Sequence, residues 1–231
     1  MNNPAYRIYP TLLDSFVWMQ SAEDEESRVK AEADLIDKLN RKPTPSSYAA
    51  TRGTALNEVL DAVIAGTARC DNGAYCMNKD GYAFTFDPAF LAELADWVGN
   101  AVCQPFLKAS IQTSFGVVEL YGFADYIVGD TIIDLKSTDN YSVGKYREKW
   151  QHRTYPLLAV KSGDMESVDA FEYLVAELDK NVPQGGKIYR EDYYITPEEC
   201  ERELRTMLEV EFLPWLESKR ELITDLKVFG Q

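Results

Sequence analysis

Near residue 110 the hydrophobic periodicity of this chain changes, and that change limits the folds open to it. Before it, apolar residues recur every three or four positions, the spacing of a single helix face. Leu12, Leu13, Phe16 and Val17, then Ala31, Leu35, Ile36 and Leu39, predict helix over 11–40, with Glu23-Asp24-Glu25-Glu26 between them as a solvated face or a turn. The prolines and serines of 41–47 (RKPTPSS) mark a loop. A second helix is expected over 51–65, closed by Gly66, and a third over 88–99 with Phe90, Leu91, Leu94 and Trp97 as its apolar stripe. The Gly- and Asn-punctuated stretch 67–88 has no readable period.

Beyond residue 110 the pattern is extended. Segments 110–114, 117–128 and 131–137 predict three strands, with Phe115-Gly116 and Gly129-Asp130 as turns. Short turns make the neighbours antiparallel, so these strands form a meander. A helix over 143–160 follows, then strands near 167–176 and 187–195, and a last helix with Thr196 as N-cap, Pro197 at its first position and Glu199 at the capping-box site. This order predicts an α/β (α+β) fold, a sheet with helices on its faces. The length of 231 residues fits one domain, 1–231. Within it, 1–108 is mainly helical, 109–178 is the core and 179–231 supplies a C-terminal strand and helix.

Composition narrows the function classes. With 45% apolar and 12% aromatic residues the chain is no disordered solvating segment, and no apolar run approaches the ~20 residues that span a bilayer. The opening MNNPAYRIYP lacks a basic stretch leading into an apolar one, so a cytoplasmic protein with no membrane partner is expected. Cys70, Cys76, Cys103 and Cys200 match no zinc spacing and read as ordinary thiols. Twenty-four Lys and Arg against 38 Asp and Glu leave a net charge of −14, which repels phosphate and argues against a sequence-independent DNA coat protein.

The segment richest in chemistry runs from Gly122 to Lys136. On a strand, Asp134 and Lys136 project to one face while Ile133 and Leu135 project to the other. The turn at Gly129-Asp130 can bring Asp125, on the preceding strand, beside Asp134. Two carboxylates in one place repel, and a hard divalent cation, Mg2+ or Mn2+, relieves them at neutral pH. Such a cation also activates water and stabilises phosphoryl charge, with Lys136 adding a positive charge beside it. Glu119 shares strand parity with Asp125 but lies ~20 Å away at strand rise, outside such a site.

Gly122-x-x-Asp125, then Asp134-x-Lys136, then Gln151-x-x-x-Tyr155 on a helix resembles the PD-(D/E)xK nuclease superfamily in its RecB-like and phage-exonuclease-like branch. Arg52-Gly53 to Asn57-Glu58 is similar to the family's upstream helix motif, and Pro10 to Phe16 to its opening helix. The resemblance spans about residues 8–178 and is specific over 122–155. It implies a restriction-endonuclease-like core and a metal-dependent deoxyribonuclease acting on DNA in recombination, repair or phage replication. A partner in recombination or single-strand annealing goes with that role. Asp125, Asp134 and the Leu135 carbonyl are the implied metal ligands, Lys136 the catalytic lysine, and Gln151 and Tyr155 active-site or DNA-positioning groups. Asn57 stands where the family often has His. On a helical wheel it flanks the apolar face while Glu58 points to solvent, so Asn57 is the candidate fourth ligand, acceptable for Mg2+ through its amide oxygen. Pro156 is expected to kink the helix just after Tyr155. Two other readings stand beside this one: a catalytically inactive member of the same fold that binds DNA or protein, and an unrelated acidic module, for which Asp125 and Lys136 would lie on opposite sheet faces.

Over 136–161 the chain carries a local +4, leaving −18 elsewhere. Lys145, Arg147, Lys149 and Arg153 are therefore the candidate DNA contacts, a narrow track that acts within a Debye length of ~8 Å. Tyr141, Tyr146 and Trp150 are interleaved as base-stacking candidates, with core packing the competing use of Trp150. His152, the single histidine, falls on a different helix face from Gln151, where it is a candidate DNA contact. DNA affinity of this origin is weak and strongly salt-sensitive.

Overall fold

The computed structural model describes residues 4–231. In chain order it contains β1 (Tyr6–Ile8), α1 (Pro10–Gln20), α2 (Glu25–Leu39), α3 (Tyr48–Ile64), β2 (Cys70–Asp71), β3 (Ala74–Lys79), β4 (Tyr82–Phe86), α4 (Pro88–Val98), β5 (Val102–Cys103), β6 (Phe106–Thr113), β7 (Gly116–Phe123), β8 (Tyr126–Val128), β9 (Thr131–Thr138), α5 (Tyr155–Ser162), β10 (Ala170–Leu178), β11 (Gly186–Tyr193) and α6 (Pro197–Thr206). A π-helical turn, Met207–Phe212, joins α6 to α7 (Leu213–Ser218). None of the described helices is long and apolar enough to cross a membrane.

The expected α/β (α+β) class is observed. A mixed five-stranded sheet, ordered β11-β10-β9-β8-β5, pairs β9 with β10 in parallel through a crossover containing α5. Alternate residues of β9 and β10 enter two cores. Ile132, Phe171, Tyr173 and Val175 join the core that includes residues of α1, α2, α5, α6 and α7, while Ile133, Leu135, Leu174 and Ala176 join residues of α3, α4 and β4. A second sheet, β1-β7-β6, and a small antiparallel sheet, β2-β3-β4, complete the fold. The small sheet accounts for the unassigned stretch, whose Asn72-Gly73 and Asp80-Gly81 turns place all four residues at positive φ.

The meander turns antiparallel at both predicted turns, but its middle strand is not one strand. It breaks at Ala124-Asp125, so that β7 belongs to one sheet and β8 to the other. The strand beside it breaks at the same level, where Gln104 donates its N–H to the Asp125 carbonyl (2.8 Å) and Ala124 donates to the Pro105 carbonyl (3.2 Å).

Three helices differ from expectation for local reasons. The helix expected over 11–40 is two, because Asp24 turns its carboxylate to the Ser27 N–H (2.8 Å) and caps α2, with Glu25 and Glu26 in the first turn where the helix dipole favours them. The helix expected over 143–160 begins only at Tyr155. Pro156 starts it rather than kinking it, since its missing N–H falls in the first turn where no intrahelical acceptor exists. On α4, Trp97 is 42% exposed under the Arg190 guanidinium, and Val98 takes the buried place assigned to it.

Candidate active site

The break at Ala124-Asp125 places the chemistry. Tyr126 pairs with Ile133 on β9, so one further step of the same register sets Asp125 opposite Asp134. The backbone leaves the ladder at this step, and the Asp125 carboxylate takes the freed Leu135 N–H (2.9 Å) in its place. Asp134 is buried between two partners. Its Oδ1 accepts from the Gln151 amide and its Oδ2 pairs with the Lys136 ammonium. Lys136 also donates to Gln151 Oε1 (2.7 Å) and lies 5.5 Å above the Tyr173 ring. Asp125, Asp134, Lys136 and Gln151 thus meet at one point, and Asp125 and Lys136 share a side rather than opposing one another.

Gln151 reaches this point from a turn, not a helix. The Gln151 carbonyl still accepts from the Tyr155 N–H (2.9 Å), which keeps the two side chains on a common face. The Tyr155 hydroxyl donates to the Phe123 carbonyl (2.8 Å), pinning the end of β7 two residues before Asp125. The motif glycines are explained by close approach. A Cβ on Gly122 would stand 2.8 Å from the Tyr155 hydroxyl, and one on Gly53 would stand 3.0 Å from Ser137 Oγ on β9.

Asn57 enters from α3. Its Oδ1 lies 2.7 Å from the Tyr126 hydroxyl, which also lies 2.8 Å from an Asp61 carboxylate oxygen, and its amide helps to hold down the pKa of the neighbouring Asp125. The amide oxygen expected as a ligand accepts a hydrogen bond from Tyr126. Asp61 and Tyr126 were not nominated from the sequence. The four-residue spacing from Asn57 to Asp61 on one helix was the available signal. Glu58 is exposed and pairs with Lys79, as its wheel position implied, and Glu119 pairs with Arg7 on the second sheet.

Burial and the neighbouring Asp134 push the Asp125 carboxyl up to about 7, against the opposing pull of Lys136, the Leu135 N–H and Asn57. Burial likewise raises Asp134, opposed by Lys136 and Gln151. Asp134 Oδ2 is buried with no hydrogen-bond partner beyond its ion pair. Two adjacent carboxylates that resist carrying charge together, Asp134 buried and Asp125 half-buried, make an all-oxygen donor set suited to Mg2+ or Mn2+. The described residues contain no cluster of three or more His, Cys, Asp or Glu, so such an ion would take its remaining ligands from backbone or water.

The four expected DNA contacts differ in their surroundings. Lys145 donates to Thr138 Oγ1 and the Asn140 carbonyl (2.6 Å each). Arg153 lies between Glu203 (3.4 Å) and Glu148 (4.0 Å), over the Trp150 ring. Arg147 is exposed, and Lys149 lines a groove with Lys136 and Gln151. Trp150 and Tyr146 are buried and Tyr141 stacks on Tyr189 at 4.4 Å, so these rings support the core and the sheet instead of offering stacking faces. His152 is buried against Tyr193 (centroids 4.0 Å apart) with Nδ1 3.2 Å from the Tyr173 hydroxyl, which removes it from any DNA-contacting surface. All four cysteines are free, with Cys200 buried and the others exposed.

No protein-family model matches the chain, and no curated protein matches it. Among solved structures, one described as a putative exonuclease from Eubacterium rectale is similar at a TM-score of 0.50 and 12% identity, over 95% of this chain and 83% of that one. The structure of SSO0001 is similar at a TM-score of 0.47 and 15% identity, over 91% and 80%. The first likeness shows a shared fold.

Proposed function

We propose that this protein is a metal-dependent deoxyribonuclease, an exonuclease or DNA-end-processing enzyme of recombination, repair or phage replication. The observation that carries this reading is the convergence of Asp125, Asp134, Lys136 and Gln151 at the break between two sheets. Asp125, Asp134 and the Leu135 carbonyl would hold Mg2+ or Mn2+, which when bound supplies Lewis acidity to a phosphoryl oxygen and to the attacking water. The Lys136 ammonium stabilises the negative charge that builds on the phosphoryl group. Gln151 bridges Lys136 and Asp134 and sets where that ammonium points. Tyr155 holds the strand end that carries Asp125.

A labelled linear duplex incubated with Mg2+ or Mn2+ tests the reading. Wild type should degrade it, while Asp134→Ala and Lys136→Ala should leave it intact. Cleavage undiminished in Asp134→Ala, or none by wild type, would refute the assignment, and the second result would favour an inactive binding module.

A further inference from the structure

Two clefts meet at Lys136, and they differ in charge. The cleft beside α3, about 670 Å³, is lined by Glu58 and Asp61 against Lys136 alone. The groove on the other side, about 1150 Å³, is lined by Lys38, Arg41, Lys42, Lys136 and Lys149 against Asp14, Asp34 and Asp37. Of these cations Lys42 is paired with Asp37 (2.6 Å), Arg41 with Asp225 (3.0 Å) and Lys136 with Asp134, so Lys38 and Lys149 are the positive charges this groove has to offer, and it ends at the Lys136 and Gln151 side chains. On its rim stands Trp18, 72% exposed although it belongs to α1, whose Leu12, Leu13, Phe16 and Met19 are buried.

We infer that this groove binds a single strand of DNA, with the Trp18 indole as its base-stacking platform and Lys149 as a phosphate contact. An exposed indole face beside cations is the combination that holds unpaired nucleotides, since each base offers a face and each phosphate a charge. A duplex hides its base faces inside the stack and cannot use Trp18 in this way. The volume exceeds the ~300–1,000 Å³ of sites that hold one drug-sized ligand, leaving room for several linked nucleotides. The Asp14 carboxylate does not block the path, because it is turned to the Trp150 backbone N–H (2.7 Å) and to Lys149 (3.8 Å). The inference rests on the nuclease reading for what happens at the Lys136 end, and only there.

The test is anisotropy of a fluorescein-labelled oligothymidylate with the full chain at low salt in EDTA, where binding is measured without cleavage. Wild type should bind it and prefer it to a duplex of equal length. Trp18→Ala should weaken binding about tenfold. Lys149→Gln should weaken it and reduce the salt slope by about one ion. Trp97→Ala, which removes an exposed indole outside the groove, should bind as wild type does. Unchanged affinity in Trp18→Ala, preference for duplex, or no binding by wild type would overturn the inference. Binding that behaves as stated in a protein that cleaves nothing would overturn the nuclease reading alone.

Discussion

Replacing Gly122 by alanine isolates the contact that ties the glycine of the site motif to its tyrosine. Gly122 lies on a strand without positive φ, where alanine ordinarily stabilises by ~0.4–1 kcal/mol through the unfolded state. Here the new methyl would meet the Tyr155 hydroxyl at 2.8 Å and ring carbons at 3.1 and 3.3 Å. Tyr155 cannot swing clear, because it is buried and its ring lies parallel to Phe171, 6.3 Å between centroids. Overpacking of this kind costs ~1–3 kcal/mol. Displacing the phenol also loosens its hydrogen bond to the Phe123 carbonyl, worth ~1 kcal/mol. The net expectation is destabilisation by ~1–3 kcal/mol. Tyr155→Phe removes the shortest of the three contacts and leaves the other two, so alanine should cost ~1 kcal/mol less in that background. Urea unfolding of wild type, both single variants and the double variant closes the cycle. If Gly122→Ala is neutral or stabilising with Tyr155 in place, or costs the same in both backgrounds, the glycine is not there to admit Tyr155.

Other measurements probe the site and its surroundings. Burial, with the Arg153 charge nearby, holds the His152 imidazole down at about 3, whereas in the unfolded chain it takes a proton near 6.5. The unfolded state therefore binds more protons between those values, and stability should fall by ~1.4 kcal/mol per pH unit as pH drops below 6.5. Urea midpoints at several pH values should show this slope in wild type and lack it in His152→Gln, and parallel curves would refute it. Calorimetry with Mn2+ should detect a site in wild type that Asp125→Ala abolishes, and heat that survives the substitution would place the ion elsewhere. Gln151→Ala should lower kcat more than it raises KM on labelled DNA, because the lost group orients Lys136. A pure KM effect would make Gln151 a binding residue. Asp24→Ala should cost ~1 kcal/mol by removing the α2 cap, read from its urea midpoint against wild type.

Much of the site was legible because it is local. Asp134 and Lys136 share a face by strand alternation, the Gly129-Asp130 turn sets their register against Asp125, and Gln151 and Tyr155 are joined by a backbone bond four residues long. The capping box at Thr196 and the division of the cores between alternate residues of β9 follow from equally short-range rules. The exposed side of Glu58 followed from its place on the helical wheel.

What the sequence alone determined is the set of relations that span a few residues, where backbone geometry leaves one choice of face or turn. Tertiary structure decided the rest. Which lysines face the groove, and that Lys145 and Arg153 are instead engaged by Thr138 and Glu203, depends on elements brought together from far along the chain. The break of the middle strand at Asp125 depends on a second sheet claiming β7, and the burial of His152 depends on β10 and β11 closing over it. A net charge or a run of basic residues records composition, but an electrostatic field acts from positions in space, and packing sets those positions.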